Sequence, residues 1–157
     1  MSAESMQDED RESRLAIAGH PIHAMLVTFP IALLMSLLAS DLAWVLTRDD
    51  FWARMSLWLA GGGSFMGLFA AIVGTIELML IPAVRRHGMG WSHFVAAMVL
   101  ISVAFSNWYL RLVVGPQDWI LPWGLALSAL GARLVMLAGW LGANLIFDHR
   151  IAIVDED

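Results

Sequence analysis

Five histidines are the residues in this chain with the clearest capacity for chemistry: His20 and His23 in the segment Gly19-His20-Pro21-Ile22-His23, then His87, His93 and His149. Imidazole combined with carboxylate suits iron, zinc, copper or manganese. Glu77 is the carboxylate nearest to them in the pattern, two turns before Arg85. Two facing imidazoles can equally serve as the axial ligands of a haem b, with Arg85, Arg86 or Arg150 pairing its propionates. Iron–sulfur clusters and thiolate metal sites are excluded, because the chain has no cysteine.

Something must carry these side chains to a common place, and the composition says what. Of 157 residues, 59% are hydrophobic and 15% charged, with a mean hydropathy of +0.71. Soluble domains run near 45–50% apolar and about 25% charged. Disorder and a disulfide scaffold are therefore excluded. Lysine is absent, all nine basic residues are arginine, and the formal charge of -5 argues against a nucleic-acid footprint.

Four apolar runs follow a polar tail over 1–18, which lacks the basic start of a cleaved signal peptide. They predict helices over 21–46, 56–84, 91–111 and 119–148 within a domain of 19–150, and leave 151–157 as an acidic tail. Each run has roughly the 20 apolar residues that crossing the hydrocarbon requires, and none alternates as a membrane β-strand would. Short connections make neighbours antiparallel. The fold class expected is all-α: an integral membrane four-helix up-down-up-down bundle with both termini on one side.

That side carries Arg11, Arg14, Arg85, Arg86 and Arg150, against Arg48, Arg54 and Arg111 on the other. The bias places both termini in the cytoplasm, in a bacterial inner membrane. Trp44, Trp52, Trp58, Trp108, Tyr109, Trp119 and Trp123 fall near the opposite ends, as an interfacial belt would. Gly63, Gly67 and Gly74, and in the last run Gly124, Gly131, Gly139 and Gly142, suggest seams of close helix packing. Pro30 should kink the first helix. On this topology all five histidines lie at the cytoplasmic end, so that His20 or His23, Glu77, His93 and His149 each come from a different helix. A solvent-facing imidazole or a helix cap is the bland alternative for His87 and His149. Two ionisable residues remain inside the spans: Asp41 and, near the middle of the fourth, Arg133. Arginine at that depth costs about 2.5–3.5 kcal/mol, and the two are expected to form an intramembrane pair.

The same residues resemble a known pattern. Gly19-His20-Pro21-Ile22-His23, then Phe29-Pro30 and Asp41, resemble the opening of the family catalogued as domain of unknown function 2231, small four-helix bacterial membrane proteins. Gly74-Thr75-Ile76-Glu77 is similar to its second-helix element, with Glu where Asp is commoner. Ser92-His93 resembles its third-helix histidine, and Gly139 to His149 its closing glycine-rich segment, with Asn144 where a second carboxylate is usual. The resemblance covers about 19–154 and implies His20, His23, Glu77, His93 and His149 as the positions of interest. Some relatives look to be fused to Rieske-type domains, which implies electron transfer nearby.

Two functions follow as expectations. One is a redox-type membrane protein holding haem b or a non-haem transition metal ion in the histidine and Glu77 cluster, with a redox partner or a second copy as its protein contact. The other is a cofactor-free accessory or assembly subunit. No Gly-x-Ser-x-Gly elbow or His-Glu-x-x-His motif points to a hydrolase. No span is visibly repeated, which gives inverted-repeat transport no support.

Overall fold

The computed structural model describes residues 15–18 and 20–147. Two short strands, β1 (Ala16–Ile17) and β2 (His20–Pro21), pair antiparallel ahead of the first helix. The first span is α1 (Ile22–Leu26) continued by α2 (Thr28–Thr47). The second is α3 (Asp50–Leu80), followed by the short α4 (Pro82–Arg86). The third is α5 (Gly88–Val114). The fourth opens with α6 (Pro116–Trp119), kinks at Leu121, whose backbone is extended (φ -112°, ψ 134°), and continues as α7 (Leu125–Phe147). Four helices are long and apolar enough to cross a membrane, so the chain is an all-α membrane-type bundle. Aliphatic and aromatic side chains such as Phe69, Val95, Leu112 and Met136 face outward, as a surface solvated by lipid permits.

Local chemistry explains the ends and breaks. Asp49 caps the second span by accepting from the Phe51 N–H at 2.8 Å, and His87 caps the third by accepting from the Met89 N–H at 3.3 Å. The expected kink at Pro30 occurs one turn earlier, between Leu26 and Thr28, because proline cannot donate to the carbonyl four residues before it. The second helix begins at Asp50 rather than Ser56, since the polar residues Asp50 and Arg54 form its first turns. Gly63 lets the first span approach: a Cβ there would lie 2.6 Å from Leu34 Cδ2. Gly131 and Gly139, by contrast, face no close neighbour, so the fourth-span seam is confined to Gly124 and Gly142.

At the end of the bundle where the second span starts, a buried polar network ties all four spans. Arg111 and Asp41 are both fully buried. Arg111 Nη1 donates to Asp41 Oδ1 at 2.9 Å and Nη2 to Asp41 Oδ2 at 2.7 Å, a two-pronged pair. Nη1 also reaches Ser56 Oγ at 2.7 Å, and Nε reaches Asn107 Oδ1 at 3.2 Å. Ser128 Oγ lies 2.6 Å from Asp41 Oδ2, and Trp119 Nε1 donates to Asn107 Oδ1 at 3.0 Å.

This corrects the expected Asp41–Arg133 pair. The third helix continues to Val114, which brings Arg111 inside the span at the depth of Asp41. Arg133 is exposed on the outer face of the fourth span. Removing one member of a buried pair strands the other, at about 3–5 kcal/mol, whereas an apolar pair of similar volume is often neutral. Arg111→Ala should therefore lower the unfolding midpoint in detergent strongly, and Arg111→Leu combined with Asp41→Leu should recover most of the loss.

Candidate functional site

The opposite end of the bundle holds two of the five histidines together. His23 stands in the first turn of the first span and His93 in the second turn of the third. Their ring centroids are 6.2 Å apart and their planes nearly perpendicular, at 86°. Each ring is anchored to a neighbouring helix in the same way. His23 Nδ1 lies 2.9 Å from the carbonyl oxygen of Ala70, and His93 Nδ1 lies 2.9 Å from that of Ala138. A carbonyl can only accept, so Nδ1 carries the proton and Nε2 keeps its lone pair. Neither Nε2 makes a hydrogen bond among the described residues.

One turn beyond each carbonyl is a glycine that makes room for the ring. A Cβ on Gly74 would sit 2.6 Å from His23 Cε1, and one on Gly142 would sit 3.2 Å from His93 Cε1. The interval from His23 to Asp41 equals that from His93 to Arg111. The two helical hairpins thus repeat one arrangement in parallel: histidine, carbonyl, glycine, then a charged residue at the far end. Sequence inspection missed this repeat because the equivalent positions share few residue types, and Asp41 and Arg111 are opposite in charge.

A partly open pocket of about 390 Å³ extends from the histidine end toward the middle of the bundle. His23, His93 and Glu77 line one part of it, and Leu34, Ala104 and Val135 another. Pockets of about 300–1,000 Å³ with apolar walls and a few placed polar groups are typical of small-molecule and cofactor sites.

Of the other residues expected here, Glu77 lines the same pocket, whereas His20 and His87 have different places. His20 is exposed, with Nδ1 2.8 Å from the Ala18 carbonyl oxygen. His87 serves as the helix cap described above. Glu77 is buried on the cavity wall. Among the described residues no three His, Asp or Glu side chains are grouped to hold one metal ion, so His20, His23, Glu77 and His93 do not by themselves make one metal-binding group. His149 and Arg150 lie outside the described residues. Arg85 and Arg86 are exposed at this end, and Arg85 Nη1 donates to the Met79 carbonyl at 2.8 Å.

The family model described as Predicted membrane protein (DUF2231) matches residues 19–155, and the chain belongs to that family. Comparison with curated proteins and with solved structures found no significant match.

The glycine notches differ in tightness, which gives a direct test of the ring anchoring. Gly74→Ala should displace His23 from the Ala70 carbonyl and cost about 1–3 kcal/mol, as overpacking does. Gly142→Ala should cost less, because its contact needs only a few tenths of an ångström of adjustment. Thermal melts of both variants in detergent measure the difference.

Proposed function

We propose that this chain is a redox-type membrane protein that holds haem b between His23 and His93. The observation that carries this reading is the adjacent, nearly perpendicular pair of imidazoles, each with Nδ1 tied to a backbone carbonyl and Nε2 left as a lone-pair donor. An outer partner on one ring nitrogen is what orients a metal-binding histidine and raises its basicity. Metal–nitrogen bonds are about 2.0–2.1 Å, so two imidazoles sharing one metal hold their centroids roughly 6 Å apart, and the observed separation is 6.2 Å.

The choice of haem over a bare ion rests on ligand number. Two protein ligands leave a transition metal under-coordinated, whereas a porphyrin brings four nitrogens of its own. If haem is bound, His23 and His93 would hold it, the apolar pocket walls would limit water, and Arg85 and Arg86 at the same end would pair its propionates. Haem supplies reversible one-electron transfer when bound. The arginine bias supports a bacterial inner-membrane location with both termini, and this site, on the cytoplasmic side. A non-haem metal ion at the same pair is the competing cofactor.

An absorption spectrum with metal analysis of the detergent-purified protein separates these. The reading expects a Soret band and about one iron per chain, with His23→Ala and His93→Ala each abolishing the band. Stoichiometric metal without a Soret band would replace haem by an ion. A spectrum unchanged in both variants would overturn the site.

A further inference from the structure

Arg133 is a mid-span charge that the described residues leave unengaged. It is exposed on the fourth span, and it makes no hydrogen bond or ion pair among the described residues. Its depth follows from the network at the far end. Ser56 and Ser128 both bond into that network, and Ser56 lies about 9 Å along its helix from Asp50 at 1.5 Å per residue. Arg133 is about 8 Å deeper than Ser128 on the same count, and about 20 Å from Phe147. With a hydrocarbon core about 30 Å thick, it stands near the middle, facing out. Snorkelling serves arginines near helix ends and does not bring one from this depth to the headgroups.

We infer that the outer face of the fourth span around Arg133 docks a membrane-spanning helix of another protein, one that presents a carboxylate at mid-depth. Charge decides the occupant. Among the described residues a second copy offers Arg133 no carboxylate at its depth, since Asp41 and Glu77 are buried and Asp49, Asp50 and Asp118 lie at span ends. Two copies meeting at this face would also oppose like charges. On either side of Arg133 the face carries Ala126, Leu130, Leu137 and Trp140, all exposed, a surface against which an apolar helix packs closely at the alanine. The inference is independent of any cofactor.

Photo-crosslinking in membranes of the source organism tests it. A benzoylphenylalanine at Leu130 or Leu137, flanking Arg133, should give a discrete protein adduct that the same probe at Val99, exposed on the third span, does not. The crosslinked segment should be a membrane span containing Asp or Glu. Arg133→Leu should cut the adduct about tenfold or more, a change of about 1.4 kcal/mol, with its melting midpoint in detergent unchanged. Arg133→Lys should retain the adduct, and Arg133→Glu should regain it when the partner's carboxylate is changed to arginine. Adducts to lipid alone, to a second copy, or to a protein at a yield indifferent to Arg133→Leu would each overturn the proposal.

Discussion

The Asp41–Arg111 pair is the constraint on which the bundle depends. Lipid offers no hydrophobic force to hold helices together, so specificity must come from close packing and from polar groups that have nowhere else to go. A fully buried guanidinium and carboxylate have one acceptable arrangement here, completed by Ser56 from the second span, Ser128 and Trp119 from the fourth, and Asn107 beside Arg111 on the third. Depth, rotation and order of the four helices are set together by that arrangement.

The histidine end is built on the same two diagonal helices, the first and the third. Each end therefore has a polar pair across the bundle axis, and the pocket extends from the histidine pair as far as Leu34, Ala104 and Val135. Because each histidine is held by the adjacent helix of its own hairpin, the ring positions follow from hairpin packing and not from contact between the rings. Parallel repeats related by an axis along the membrane normal have this property. A ligand on that axis meets two equivalent imidazoles.

Much of this was legible beforehand. Hydropathy and length gave four spans, and the helix ends gave His20, His23, Glu77, His93 and His149 as one group, within which the structure sets His23 beside His93. The extension of the third helix was not legible, because Arg111 next to Gly115 and Pro116 reads as a loop charge until its partner is known. That single boundary decided which arginine met Asp41. His20 stood level with His23 by topology, but a strand uses it instead, while His87 takes the role of helix cap that was its plain alternative.

By itself the sequence determined the solvent, the number of spans and the end at which imidazoles gather, because burial cost acts on every residue regardless of its partners. Only the tertiary structure decided the pairings. Rotation of a helix about its axis by less than half a turn separates a buried arginine from a lipid-facing one, and hydropathy does not report rotation. The repeat of histidine, carbonyl and glycine in the two hairpins is likewise a relation between helices, carried by a backbone oxygen that no residue type encodes.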